Sequence, residues 1–186
     1  MMKYASEKEL IESCVSGNSA AQKDLYEKYS PKMLGICMRY ANDYHGAEDI
    51  LQEGFVKAFR NLSKFRHEGS FEGWLRRIMV NTAIEIHRRK KNMYPILEVE
   101  NLEVEFHTED AVSMLAAEDI MSMVVKLSPG YRTVFNLYAI EGYSHKEIAE
   151  QLNISEGTSK SQLARARYIL MRMVEERTGY KQKAIG

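Results

Sequence analysis

Two cysteines, Cys14 and Cys37, are all the thiol chemistry in this 186-residue chain. They form no CxxC pair and both fall in helix-like patterns, so reduced core thiols are expected rather than a disulfide framework. No apolar run approaches the ~18–20 residues that cross a bilayer. The opening MMKYASEKEL has no signal-peptide core, and a cytoplasmic protein without membrane insertion is expected. The five histidines (His45, His67, His87, His107 and His145) are scattered, with no HExxH or similar ligand spacing. No metal, no cofactor and no enzymatic activity are expected.

There is also no net charge: 26 Lys and Arg face 26 Asp and Glu. The distribution matters more than the total. Residues 57–91 hold ten cations and three acids, and residues 92–125 hold eight acids and no cation. From Tyr143 onward eight cations outnumber five acids. Two positive regions therefore flank a negative one, and the positive regions call for a polyanion.

The most informative stretch is Tyr143–Leu170, YSHKEIAEQLNISEGTSKSQLARARYIL. Ser144 with Glu147 makes a capping box that starts a short helix, and Ile148, Ala149 and Leu152 give it an apolar side. Asn153-Ile154 breaks it, and Ser155 can cap a second helix. At about 100° per residue, Ser159, Leu163, Ala166 and Leu170 fall on one side. Lys160, Ser161, Ala164, Arg165 and Tyr168 fall on the other. Two helices about a tight polar turn, the second with a small and basic outer face, form a helix-turn-helix over Ser144 to Arg167. Small side chains admit the backbone to base edges, while Lys160 and Arg165 reach phosphate or guanine. Two such helices also occur in proteins that never touch DNA.

Upstream, Ser6-x-x-Glu9 reads as a capping box followed by Leu10, Ile11, Cys14 and Val15 on one face. Gly17-Asn18 interrupts, and Pro31 fits a helix start. Asn42–Ala47 reads as a turn, followed from Ala47 to Leu62 by an amphipathic helix. Its buried stripe is Leu51, Phe55, Ala58, Phe59 and Leu62. Its outer side carries Glu48, Asp49, Gln52, Glu53 and Lys57, with the acids in the first turns. The loop Lys64–Ser70 carries Lys64, Phe65 and Arg66, and the helix Phe71–Lys91 ends in RRKK. Trp74, Leu75, Ile78, Met79, Thr82 and Ile86 can be buried there, leaving Arg76, Arg77, Asn81 and Arg88 outside. Cations beside an aromatic loop suit backbone neutralisation and base stacking on single-stranded nucleic acid. From Asn92 to Thr108 periodicity is lost, which marks a linker. Helix resumes near Glu109–Leu127, with Ala111, Met114, Leu115, Ile120, Met123 and Val124 apolar. Ser128-Pro129 begins another helix, and Gly142 ends it.

The architecture expected is all-α: a helical domain over 1–92, an acidic linker over 93–112 and a helix-turn-helix domain over 113–180.

Together these segments resemble the bacterial sigma-70 family of RNA polymerase initiation factors, of the short extracytoplasmic-function (ECF) type. Asp49-Ile-Leu-Gln-Glu-Gly54 is similar to the family's polymerase-binding helix. The resemblance implies that Asp49, Gln52, Glu53 and Lys57 face the clamp helices of the largest polymerase subunit. WLRRIMVNTA resembles the strand-opening, −10-reading helix, with Arg76, Arg77, Asn81 and Arg88 in that role. Lys64, Phe65 and Arg66 fall in the loop that captures an extruded base. Ser128–Phe135 and Glu141–Ala149 resemble the domain that reads the −35 element and meets the flap of the second-largest subunit. Its DNA-facing positions here are Lys160, Ser161, Arg165 and Tyr168. The resemblance further implies promoter DNA and an anti-sigma factor as partners, and places the chain in the short class without an inhibitory region or extra middle domain. Ser159 departs from the usual apolar residue, so looser packing of the recognition helix is expected. About 20 linker residues span at most ~65–75 Å, comparable to two DNA turns of ~34–36 Å each. The competing reading is an independent helix-turn-helix regulator with a helical sensor domain, which would bind duplex DNA alone and has no use for Asp49 or RRKK. An RNA-binding helical protein would leave the helix-turn-helix unused.

Overall fold

The computed structural model describes residues 4–93 and 117–178, and every regular element among them is helical. The chain divides into two compact units, Met1–Ile86 and His87–Gly186. The acidic linker expected over 93–112 lies, from Tyr94 on, outside the described residues. So do Ala111, Met114 and Leu115, and the tail from residue 179.

In the first unit, α1 (Glu7–Val15) starts where the Ser6 hydroxyl accepts from the Glu9 amide at 3.1 Å. The returning Glu9 carboxylate accepts from the Ala5 amide at 2.6 Å, one residue before the position a standard capping box uses. Leu10, Ile11 and Cys14 are buried, but Val15, expected beside them, is 49% exposed. One residue is a 100° turn, which carries Val15 off the buried stripe at the helix end. Gly17 reverses the chain at φ +86°, and the Asn18 side chain then accepts from the Ala20 and Ala21 amides. This caps α2 (Ser19–Met38), which runs straight through Pro31. The start expected at Pro31 is therefore corrected. Pro31 and Glu27 both lie on the exposed side, where water can serve the Glu27 carbonyl that a proline cannot.

A second correction concerns α3 (Tyr44–Asn61), which begins three residues before Ala47. Asp43 supplies the cap, its carboxylate accepting from the Gly46 amide at 2.7 Å. Glu48 and Asp49 consequently lie beyond the first turn, where the helix dipole has little hold on them. Leu51, Phe55, Ala58 and Leu62 are buried as their spacing requires, together with Ile50, whereas Phe59, expected on the same stripe, lies at its edge and is only half-buried. A 3₁₀ turn, Leu62–Lys64, leads to the loop before α4 (Phe71–Met93). Leu75, Met79 and Thr82 are buried in α4, along with Val80, Ala83 and Ile84. Trp74, Ile78 and Ile86 are only half-buried. The two helices meet closely at Gly54: a Cβ there would collide with Met79 Sδ and stand 3.0 Å from its Cε. Gly54 thus leaves room for the buried Met79 side chain, while the Met79 Cα stands at an ordinary 3.8 Å.

The second unit comprises α5 (Ala117–Val124), α6 (Pro129–Phe135), a wide helical turn over Asn136–Ile140, α7 (His145–Leu152) and α8 (Glu156–Thr178). Met123, Val124 and Leu127 pack with Ala166, Leu170 and Val174 of α8. Arg132 is buried at their edge, and its guanidinium donates to the Val125 carbonyl at 2.8 Å. Burial lowers its pKa. Gly142 at φ +78° ends the wide turn.

Ser159 is fully buried, and its hydroxyl lies 2.9 Å from His145 Nδ1. The looser packing expected there is replaced by a polar bridge between α7 and α8. The His145 ring stacks on Tyr138, centroids 4.6 Å apart. Burial first, then the nearby Lys160 and Arg167 charges, push the His145 pKa below the ordinary imidazole value, with Glu156 opposing.

Gly54→Ala should cost about 1–3 kcal/mol by overpacking, more than the ~1 kcal/mol that alanine gains in helix propensity. Urea unfolding midpoints check this, and the penalty should shrink in a Met79→Ala background. His145 binds its proton less readily folded than unfolded. Its stabilisation is therefore complete above the unfolded pKa of roughly 6.5, and is lost as pH falls through the folded value. Amide protection factors over residues 145–170, taken against the base-catalysed intrinsic rate at each pH, should fall on acidification, and less so in His145→Asn.

Candidate nucleic-acid interface

Asp49 and Gln52 stand exposed on the outer face of α3, with Val56, 48% exposed, one turn further on. Glu53 and Lys57 are half-buried and already engaged. Lys57 Nζ lies 3.0 Å from Glu53 and 2.8 Å from Glu85 of α4. Burial alone would lower the Lys57 pKa, but hydrogen bonds and charge from Glu85 and Glu53 outweigh it and raise the value. Of the four residues assigned to polymerase binding, two are free-standing polar groups and two belong to a clasp between helices. Glu85 lies 28 residues from Lys57, so no local spacing announces that clasp.

The loop after α3 is shaped by two left-handed residues, His67 at φ +57° and Gly69 at φ +97°. The Ser70 hydroxyl closes it by accepting from the Gly73 amide at 3.1 Å. Lys64 and Arg66 are exposed, while Phe65 is half-buried in an aromatic cluster. Its ring centroid is 4.7 Å from His67, 5.3 Å from Phe71 and 5.5 Å from Trp74. Part of the π surface assigned to base stacking therefore packs on protein and part meets solvent. On α4, Arg77, Asn81 and Arg88 are exposed and recur at i, i+4 and i+11, which puts them on one stripe. Arg76, a quarter-turn away, is half-buried. Exposed Arg89 adds a further cation beyond the assigned set.

In the second unit the capping box is complete. Ser144 Oγ accepts from the Glu147 amide at 3.3 Å, and the Glu147 carboxylate accepts from the Ser144 amide at 2.8 Å. The Ser144 hydroxyl also donates to the Glu147 carboxylate at 2.7 Å, and that bond first, then the one from the Ser144 amide, holds the carboxyl below its usual pKa. Asn153 adopts the left-handed conformation at φ +53°, ending α7 and setting the tight turn. The Ser155 hydroxyl then accepts from the Thr158 amide at 2.9 Å to start α8. Ser159, Leu163, Ala166 and Leu170 are buried, which turns Lys160, Ser161, Arg165 and Tyr168 outward.

These four lie within nine residues, about 12 Å along the axis, on a helix whose diameter of about 10–12 Å fits the ~12 Å width of a B-DNA major groove. Lys160 is exposed. The Ser161 hydroxyl donates to the Thr158 carbonyl at 3.1 Å and keeps its lone pairs for an incoming donor. The Arg165 guanidinium lies 5.4 Å from the Tyr168 ring centroid, a cation–π contact that restricts its rotamers. Exposed Arg167, over the Tyr138 ring at 5.6 Å, was not singled out from the sequence. The alternating RAR string was its only signal, since Tyr138 is remote in sequence.

The family model for sigma-70 region 2 matches residues 25–93, and that for sigma-70 region 4 matches residues 117–170. The ECF RNA polymerase sigma factor SigW of Bacillus subtilis (strain 168) is 34% identical over 182 residues, covering 91% of this chain and 97% of the relative. The RNA polymerase sigma-H factor of Pseudomonas aeruginosa is 31% identical, covering 90% of this chain and 93% of its own length. The ECF RNA polymerase sigma-E factor of Haemophilus influenzae is 30% identical, covering 94% and 98%. With both matched regions falling on the helices just described, the chain belongs to the ECF sigma factors, the subunits that direct RNA polymerase to initiate transcription.

Proposed function

We propose that the labour of initiation is divided among three surfaces of this sigma factor. The α3 face, with Asp49 and Gln52 at its centre and Glu53 beside them, docks on the clamp helices of the largest polymerase subunit. The loop Lys64–Ser70 and the Arg77-Asn81-Arg88 stripe of α4 take the −10 element as it opens. The outer face of α8, through Lys160, Ser161, Arg165 and Tyr168, reads the −35 duplex, while its domain rests on the flap of the second-largest subunit. Polymerase supplies the catalysis, and this chain acts in the cytoplasm as a specificity subunit without cofactor or metal. The domain limits 1–92, 93–112 and 113–180 belong to the same proposal, with the acidic segment running through a basic channel of the polymerase. An anti-sigma factor is the expected restraint on the free protein.

The observation that carries this reading is the aromatic Phe65 loop beside an exposed cationic stripe on the helix that follows it. Extruding a base costs a few kcal/mol. Base–aromatic stacking returns about 1–3 kcal/mol per base, and phosphate neutralisation adds to it. A duplex-only regulator has no use for that combination.

Asp49→Ala with Gln52→Ala should weaken association with core polymerase about tenfold or more, ~1.4 kcal/mol, without lowering the unfolding midpoint. Unchanged co-purification with core would remove the clamp contact. Glu53→Ala should do both, because it also loosens the Lys57 clasp. Arg165→Ala should reduce −35 discrimination by about 1–3 kcal/mol in run-off transcription on promoters varied base by base. An equal loss on every sequence would show a phosphate contact only.

A further inference from the structure

The aromatic cluster around Phe65 does not end at the loop. Phe71, 1% exposed, lies between Phe65 and Trp74 on one side and Tyr29 of α2 on the other. The Tyr29 ring meets Phe71 edge to face, centroids 5.2 Å apart and planes at 66°. At its far end the Tyr29 hydroxyl donates to the Glu7 carboxylate in the first turn of α1. Lys28 Nζ lies 3.3 Å from the same carboxylate oxygen. A chain of contacts thus runs from Glu7 through Tyr29 and Phe71 to Phe65, linking α1, α2, α4 and the loop. Residue 7 lies outside the segment matched to region 2, which begins at residue 25.

Each link is directional. A T-shaped aromatic pair has a preferred centroid distance and angle, so swinging the Tyr29 ring about its Cα–Cβ bond moves the edge that meets Phe71 and carries the hydroxyl with it. The hydroxyl bond to Glu7 removes that freedom, and it is strong because its acceptor is ionised. It also depresses the Glu7 pKa, its largest cause, with His67 in the loop contributing a smaller effect of the same sign.

We propose that Glu7 and Tyr29 are positioning residues for base capture: their hydrogen bond fixes Tyr29, which sets Phe71 and through it the angle at which Phe65 meets an unstacked base. The inference rests on the reading of the Phe65 loop given above. Neither side chain touches DNA. Their effect appears in how well the site tells a base from none.

The test uses holoenzyme reconstituted from core polymerase and the full chain. The probes are fork-junction templates of a promoter identified by run-off transcription, with an abasic residue placed at each −10 position in turn. Wild type should prefer the intact fork at one position. Tyr29→Phe and Glu7→Ala should cut that preference about three- to tenfold, the range set by one hydrogen bond. Core association and duplex −35 binding should be unchanged. Glu7→Gln, which keeps an acceptor for the hydroxyl, should retain most of the preference, and gives a reading even where Tyr29→Phe fails to fold. Wild-type preference that survives both Tyr29→Phe and Glu7→Ala overturns the inference alone, as does a loss equal to the loss of core association. A wild type indifferent to abasic sites at every position overturns the loop reading and the inference with it.

Discussion

The closeness of α3 and α4 at Gly54 and Met79 is the constraint on which the first unit depends. These helices present unlike outer faces, polar on α3 and cationic on α4. Their inner faces are apolar and buried. Burial of Leu51, Phe55, Leu75 and Met79 contributes roughly 1.5–3 kcal/mol per side chain, and the absence of a Cβ at residue 54 leaves the Met79 side chain its place.

In the second unit the equivalent constraint is polar. His145 and Ser159 meet across the helix-turn-helix at 2.9 Å where two apolar side chains would ordinarily do. A buried hydroxyl is tolerated because it has a partner, and the stacked Tyr138 ring holds that partner in place. The result is directional rather than merely cohesive. An imidazole–hydroxyl pair admits fewer relative orientations of α7 and α8 than a methyl–methyl contact would.

Most of this was legible in the residues. The periodicity of α3, the capping box at Ser144, the turn at Asn153 and the buried side of α8 all follow from local rules, and the structure carries each of them. What failed, failed for nameable reasons. Pro31 looked like a helix start because proline is common there, but an exposed carbonyl makes its interior position tolerable. The start of α3 was set by Asp43 rather than by the first apolar repeat. Val15 fell beyond the stripe by a single residue's rotation. The clasp of Lys57 by Glu85, the Ser159 bridge and the burial of Arg132 are tertiary facts between remote residues, and no window of local sequence contains them. The candidate site residues were legible as types, cations and aromatics at helical spacing. Which of them are already spoken for was not.

The Lys57 ammonium illustrates what such prior engagement entails. It is one positive charge divided between a carboxylate on α3 and another on α4. Whatever draws Glu53 toward itself leaves more of that charge to Glu85, and whatever neutralises Glu85 leaves more to Glu53. The outer sides of α3 and α4 are therefore tied through one ammonium, and a change of charge at either carboxylate is felt at the other.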